Sequence, residues 1–196
     1  MSDHSSSTST SCGTSLILRL TDNDSVAWNE LVDLYGPLVF DWCTKHKLQS
    51  CDAADIMQNV FASAAKSIHR FDLSPGHSLK GWLWTITTNK IRDFWRKQNN
   101  GVNAVGGTQA NWQLNQVAES PDPATGDIET TRLLHRALAQ IENDFAPQTW
   151  QAFWQSTIEG QDTNSIAQNL GLSQNSVRQA KSRVLRRLRE QLGELK

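Results

Sequence analysis

Apolar residues recur along the chain at steps of three and four, the spacing of one face of an α-helix. The first such segment runs from Asp24 to about His46, the second from Asp52 to Phe71 and the third from Ser78 to Gln98. Pro37 lies inside the first segment, where its missing amide hydrogen predicts a kink or a division. No stretch alternates with the period of two that a half-buried strand requires. The pattern therefore predicts an all-α protein.

The composition changes between Asn99 and Gly126, which are rich in Asn, Gln, Gly, Ser and Pro and show little periodicity. We predict a flexible linker there, with a mean span of roughly 30 Å, close to one turn of duplex DNA at ~34 Å. The chain is thus predicted to form two small helical domains, residues 15–98 and 127–196. Residues 1–14 are rich in Ser and Thr, and we expect them to be disordered.

The end of the chain is predicted to form a short helix, a turn and a longer helix. Thr163–Leu170 has helical spacing, Gly171 can take the positive φ that ends a helix, and Ser173 can cap the next one. A helix-turn-helix has this order of elements. The longer helix, residues 174–192, carries an apolar face formed by Val177, Ala180, Val184 and Leu188. Two helices precede the motif, lined by Leu134, Leu138 and Ile141, and by Trp150, Phe153, Trp154 and Ile158.

The charges are distributed unevenly although the net charge is only −1. Residues 174–196 contain seven Lys and Arg against two Glu, and residues 80–97 contain five cations against one Asp. Two basic clusters of this kind fit a polyanionic partner, although two solvated helix faces would also explain them.

The polar face of the last helix carries side chains suited to duplex DNA. Amide and hydroxyl groups can read base edges in the major groove, and Arg can bind phosphates or guanine. An exposed basic helix in an ordinary bundle is the alternative. The candidate DNA-contacting residues are Gln174, Asn175, Arg178, Gln179, Ser182, Arg183 and Arg186.

Three stretches resemble one protein family. "SIAQNLGLSQNSVRQAKSRVLRRLRE" resembles the region-4 helix-turn-helix of bacterial sigma-70-type initiation factors. "DAADIMQNVF" is similar to the D-A-x-D-[LI]-x-Q-[ED]-V-F motif of region 2, and "SLKGWLWTITTNKIRDFWRK" to the basic W-L-x-x-I-x-x-N run that follows it. No third domain separates the two regions, which is the plan of the extracytoplasmic-function (ECF) group.

The resemblance implies roles for individual residues. Asp55, Gln58 and Asn59 occupy the family positions that contact core RNA polymerase, although Asp55 also fits an ordinary acid in the first turn of a helix. The melted −10 element would lie against residues 72–97, and the last helix would read the −35 element as duplex. Trp84 and Trp95 could instead pack in the core, where we place Trp82. The −10 candidates are Asp72, His77, Lys80, Trp84, Asn89, Arg92, Trp95, Arg96 and Lys97.

The function that this resemblance implies is a sigma factor that directs promoter-specific initiation. Its partners would be core RNA polymerase, promoter DNA and, as a family expectation, an anti-sigma factor. The alternatives are a stand-alone helix-turn-helix regulator and a helical adaptor protein.

No nucleophile motif, phosphate loop or metal-ligand spacing appears, so we expect no enzyme activity, cofactor or metal. The three cysteines form no C-x-x-C pair and fit a reducing cytoplasm, and no apolar run is long enough for a membrane span.

Overall fold

The computed structural model describes residues 15–72, 77–101 and 123–193. Within these ranges every regular element is helical, which confirms the all-α prediction. Two 3₁₀ turns, Ile68–Arg70 and Glu142–Asp144, extend two of the α-helices. The eight α-helices are α1 Leu16–Thr21, α2 Ser25–Lys45, α3 Ser50–Ser67, α4 Leu79–Gly101, α5 Pro123–Ile141, α6 Pro147–Thr157, α7 Thr163–Leu170 and α8 Gln174–Gln191.

Pro37 does not divide the first predicted helix. The helix α2 continues through it from Ser25 to Lys45 and begins at Asp24, whose carboxylate accepts a hydrogen bond from the Val26 amide. Pro37 is exposed, so water can satisfy the carbonyl that loses its amide partner. Of the two outcomes predicted for Pro37, a kink or a division, the division is therefore absent.

The helix-turn-helix has the predicted form. Asp162 caps α7, Gly171 ends it with a φ of 63°, and the Ser173 side chain caps α8 by accepting from the Ser176 amide. The four predicted apolar residues of α8 are all buried. In the preceding helix α6, Phe153 is buried as expected, but Ile158 lies beyond the last helical residue and is 48% exposed.

The helix α1 was not predicted from the sequence. Its side chains Leu16, Ile17 and Leu20 are buried, and Arg19 donates hydrogen bonds to Asp24 and Glu30. This short helix therefore contributes to the core directly at the start of the described chain.

The two halves of the chain, α1–α4 and α5–α8, pack on one another. Leu79 and Leu83 of α4 belong to the same buried cluster as Ile141 of α5 and Leu188 of α8. The helix α4 extends to Gly101 and α5 begins at Pro123, so both helices reach into the segment predicted as linker. The remainder of that segment and residues 1–14 lie outside the described residues.

A buried carboxylate joins α5 to α2. Glu129 is 6% exposed, accepts a hydrogen bond from Trp42 Nε1 at 3.2 Å and forms an ion pair with Lys45. Nearby, the Tyr35 hydroxyl donates to the carbonyl oxygen of Leu192 at 2.9 Å. Side chains of α2 thus hold both α5 and the end of α8.

A second polar network joins four helices. Glu30 of α2 binds Arg19 of α1 at 2.8 Å and accepts from Gln191 of α8 at 3.3 Å. Gln191 also donates to Gln140 of α5 at 2.9 Å, and Gln140 donates to the Glu30 carbonyl. Because Gln191 is buried, this network satisfies polar atoms that the packing of the halves removes from water.

No helix among the described residues is both long and apolar enough to cross a membrane.

Gly193 allows the two halves to approach closely, so its substitution tests their packing. Its φ is 69°, and an added Cβ would lie 3.0 Å from Leu79 Cδ2 and 3.1 Å from Ile17 Cδ1. We expect Gly193→Ala to lose ~1–2 kcal/mol of stability from left-handed strain and a further ~1–3 kcal/mol from overpacking. Gly160 is the matched control, since its φ is 67° and an added Cβ there would meet nothing within 4 Å. If Gly193→Ala and Gly160→Ala lost equal free energy of unfolding in urea, the contact of Gly193 with Leu79 and Ile17 would not be tight.

His46 should make stability depend on pH. Burial lowers the pKa of its imidazole below 6.5, so the folded protein favours the neutral ring. The unfolded chain then binds more protons as the pH falls below 6.5, and stability falls with it. We expect His46→Gln to lose less free energy of unfolding than the unmodified chain between about pH 7.5 and about pH 5, as measured by urea unfolding. The exposed His69→Gln variant is the control, and an unchanged pH dependence in His46→Gln would contradict the assignment.

Candidate nucleic-acid interface

The helix α8 separates an apolar face from a polar one. Val177 and Ala180 pack with Ala152 of α6 and with Ile166 and Ala167 of α7, which anchors the first half of the helix. This anchoring turns the opposite face to solvent. All seven predicted contact residues are exposed there, namely Gln174, Asn175, Arg178, Gln179, Ser182, Arg183 and Arg186.

The cations of α8 fall into two groups. Arg187 faces the protein, because it is bound to Asp144 at 2.8 Å and to Gln191 at 2.9 Å. Arg186 lies 3.8 Å from Glu190 and remains 70% exposed. Among the described residues, no carboxylate lies within salt-bridge distance of Arg178 or Arg183. These two arginines therefore present their full charge to solvent.

The start of α8 is held in place by the turn. Gln174 Nε2 donates to Asn164 Oδ1 of α7 at 3.2 Å, and the Ser173 and Ser176 hydroxyls are hydrogen-bonded at 2.8 Å. A base-reading helix needs such fixed geometry, since its side chains must meet specific base edges.

The middle and end of α4 expose several of the predicted −10 residues. Asn89, Arg96 and Lys97 are exposed, and Arg92 is half-buried. Arg96 also pairs with Asp93 at 2.7 Å on the same helix.

Aromatic packing holds the half-buried Trp95 near the end of α4. Its ring meets Phe94 edge-on with the centroids 5.2 Å apart. The end of the helix therefore combines positive charge with a partly accessible indole.

A surface pocket of about 340 Å³ lies beside the start of α4. Asp72 and His77 both line it, and their side chains lie 3.5 Å apart. Trp82 also lines the pocket and meets Phe71 edge-on at 5.3 Å, so its placement in the core was only partly correct. The volume falls within the range of pockets that accept small ligands.

Trp84 does not belong to this surface. It is 7% exposed and packs edge-on against Trp42 at 5.0 Å, with His46 at 6.1 Å. Its proposed contact with DNA is therefore wrong for this structure, and the alternative of core packing holds. The buried face of α4 comprises Leu79, Leu83, Trp84, Thr87, Thr88 and Ile91.

The three predicted polymerase-contacting residues share the exposed face of α3. Asp55, Gln58 and Asn59 are all exposed, opposite the buried residues Ile56 and Val60. The Asn59 amide donates to the Asp55 carbonyl at 2.8 Å. The side chain of Asn59 therefore lies against the backbone of α3, while the side chains of Asp55 and Gln58 extend into solvent.

Two further cavities were not predicted. An apolar groove of about 390 Å³ lies between α2 and α3 and is lined by Phe40 and Met57. Another of about 490 Å³ lies between α5 and α6, where Trp150 and Trp154 form part of the wall. Sequence periodicity gives no signal for either, because each depends on how two helices pack.

No cluster that could hold a metal ion occurs in the part of the chain that the structure describes. Burial raises the pKa of the Cys43 thiol to about 12, which keeps it protonated and unreactive.

Sequence comparisons find similarity to sigma factors. Residues 31–101 match the family Sigma-70 region 2. RNA polymerase sigma factor CarQ of Myxococcus xanthus is 29% identical over 177 residues, which cover 90% of this chain and 95% of CarQ. ECF RNA polymerase sigma factor SigW of Bacillus subtilis (strain 168) is 24% identical over 135 residues, 66% of this chain and 71% of SigW. A chain of the solved RsbN–BldN complex overlaps 88% of this protein and 96% of its own length at 17% identity, with a TM-score of only 0.37.

Proposed function

We propose that the chain is a sigma factor of the extracytoplasmic-function group, on its similarity to Sigma-70 region 2, CarQ and SigW, and that it binds core RNA polymerase and directs initiation at specific promoters. In this proposal residues 15–98 bind polymerase and the melted −10 strand, residues 127–196 read the −35 element as duplex, and residues 99–126 link them. The face of α8 is the observation that carries the proposal, because it exposes seven polar and basic side chains while its other face is anchored.

The helix α8 has the properties that duplex recognition requires. Gln174 and Asn175 lie in its first turn, where a recognition helix meets base edges. Arg178 and Arg183 have no acidic partner among the described residues, so binding phosphate or guanine would break no ion pair.

The surface of α4 supports a role with melted DNA. Opened bases need aromatic surfaces to stack on and cations to follow the phosphates. The pocket beside Asp72, His77 and Trp82 could receive an unstacked base, since it has an aromatic wall and polar groups. Beyond it, Asn89, Arg92, Arg96 and Lys97 would meet the strand.

The exposed face of α3 favours a sigma factor over a stand-alone regulator. A regulator that binds duplex DNA alone has no need for the motif that presents Asp55 and Gln58.

An anti-sigma factor is a further proposed partner, on the family resemblance. Sigma factors as a family are not enzymes, so RNA synthesis itself belongs to the polymerase.

The polymerase contact can be tested by reconstitution with core enzyme. We expect Asp55→Ala combined with Gln58→Ala to reduce co-purification with core enzyme and run-off transcription from genomic fragments, while the helical circular-dichroism signal stays unchanged. Asp22→Ala combined with Gln49→Ala is the control, since it removes one acid and one amide from exposed positions outside α3. If the α3 double variant formed the complex at wild-type yield, this contact would be rejected. If the unmodified chain formed no complex with core enzyme, the proposed function would be rejected.

The DNA contact can be tested with a promoter fragment recovered from the run-off assay. We expect Arg178→Ala or Arg183→Ala to weaken binding by about 1–3 kcal/mol where the lost contact is to a base. A lost phosphate contact would instead weaken binding to all sequences alike and reduce its salt dependence. Lys66→Ala on α3 removes one exposed charge as a control. Unchanged gel-shift affinity and salt dependence for both arginine variants would contradict the placement of α8 in the groove.

A further inference from the structure

One side-chain hydrogen bond joins the two helices of the helix-turn-helix on their exposed side. Gln174, the first residue of α8, donates from Nε2 to Oδ1 of Asn164 on α7 at 3.2 Å. Both side chains are exposed, so water competes for the same groups and the bond adds little to stability. Its effect lies instead in how it orients the amide of Gln174, a candidate DNA-contacting residue.

Asn164 belongs to a well-anchored part of α7. Its backbone amide donates to the Asp162 carboxylate, the cap of this helix, at 3.0 Å. Two residues further along, Ile166 is buried in the same cluster as Val177 of α8. The acceptor for Gln174 is therefore carried by backbone that is held both at the start of α7 and against α8.

A glutamine amide can present either of two chemical groups to a base. Its terminal torsion has a roughly two-fold preference, so a half-turn exchanges the acceptor Oε1 for the donor Nε2 at nearly the same place. In the major groove adenine and cytosine offer an amino donor, whereas guanine and thymine offer a keto acceptor. The orientation of the amide therefore decides which of these two pairs of bases Gln174 can recognise.

The bond to Asn164 favours one orientation of the Gln174 amide. It uses Nε2, so a half-turn of Gln174 alone would bring its Oε1 against Asn164 Oδ1, two acceptors with no hydrogen between them. Within the described residues Gln174 Oε1 accepts no hydrogen bond. This oxygen is therefore available to accept from the amino group of a base.

The two amides could also turn together, and a DNA phosphate would prevent this. The first helix of a helix-turn-helix crosses the DNA backbone, and Asn164 lies in the first turn of that helix. Its Nδ2 donates to no group in the described part of the chain. A phosphate oxygen can accept from Nδ2, whereas a joint turn would place Oδ1 against the anion. The hydrogen bonds from phosphate through Asn164 and Gln174 to the base are therefore satisfied in one direction only.

We propose that Asn164 is a positioning residue that turns Oε1 of Gln174 toward the base. At one position of the bound duplex, the contacted strand then favours adenine or cytosine over guanine or thymine. The proposal deepens the proposed function and rests on it, because it concerns the reading of duplex DNA by α8. Asn164 itself contacts the phosphate and acts on the base only through Gln174.

Competition binding by the complex of the full chain with core polymerase tests this role. Promoter fragments that carry each of the four bases at every −35 position are compared, and Gln174→Ala identifies the position that Gln174 contacts. At that position we expect Asn164→Ala to reduce the preference for adenine or cytosine about two- to tenfold, the effect of one hydrogen bond. In the Gln174→Ala background, Asn164→Ala should change this preference no further. Asn169→Ala, the same substitution at another exposed position of α7, is the control.

Asn164→Asp distinguishes positioning from a merely structural link between α7 and α8. The introduced carboxylate still accepts from Gln174 Nε2 but repels the phosphate. We therefore expect the base preference to remain while the affinity for all fragments falls alike. A bond that only linked the two helices would leave the base preference unchanged in Asn164→Ala and alter the affinity for every fragment equally.

The possible failures of this proposal and of the proposed function are distinct. If Asn164→Ala kept the full base preference, or Asn164→Asp lost it, the positioning role would be overturned and the proposed function would stand. The role would be overturned in the same way if Gln174→Ala changed the preference at no position. If the unmodified chain with core polymerase preferred no fragment at all, the proposed function would fail as well.

Discussion

The burial of the Glu129 carboxylate is the constraint on which the arrangement of the two halves depends. A carboxylate removed from water must find donors, and Glu129 finds one in each of two residues of α2, Trp42 and Lys45. Because α5 carries Glu129 and also packs against α8, the position of the helix-turn-helix relative to α2 follows from this pairing. The apolar cluster shared by both halves stabilises the same arrangement but does not specify it as narrowly, since apolar contacts have little directionality.

The helix α8 has different neighbours at its two ends, and the two ends therefore have different structural roles. Its first half is fixed by α6, α7 and the capped turn, which leaves the candidate base-reading side chains on a rigid support. Its last turn instead contacts α1 and α2 through Gln191, Leu192 and Gly193. The candidate DNA-contacting surface is therefore built within the C-terminal half, while its placement is set by the N-terminal half.

The local elements could be predicted from sequence because their signals are local. The boundaries of α7, the left-handed Gly171 and the Ser173 cap each follow from a residue type at one position, and the buried face of α8 follows from a strict periodicity. The exposed positions of the seven α8 residues and of the three α3 residues follow from the same spacing.

The errors arose where contacts distant in sequence decide the outcome. Trp84 belongs to the core because Trp42 of α2 and His46, directly after α2, pack against it, which periodicity within α4 cannot reveal. The helix α1 is too short to show a periodic pattern. Only the packing of its leucines in the core identifies it. The packing of the two halves depends on Glu129, which stands in a stretch that contains no cation and therefore offers no sign of its partner, Lys45.

The hydroxyl of Tyr35 has a practical consequence for studying this molecule. The sequence contains a single tyrosine, and that residue is buried at the junction, where it donates to the Leu192 carbonyl. Isotopic labelling of tyrosine would therefore give one ring spin system in a magnetic-resonance spectrum, free of overlap. Its chemical shift would register any parting of the helices around it in the native sequence, without a foreign probe or an engineered residue.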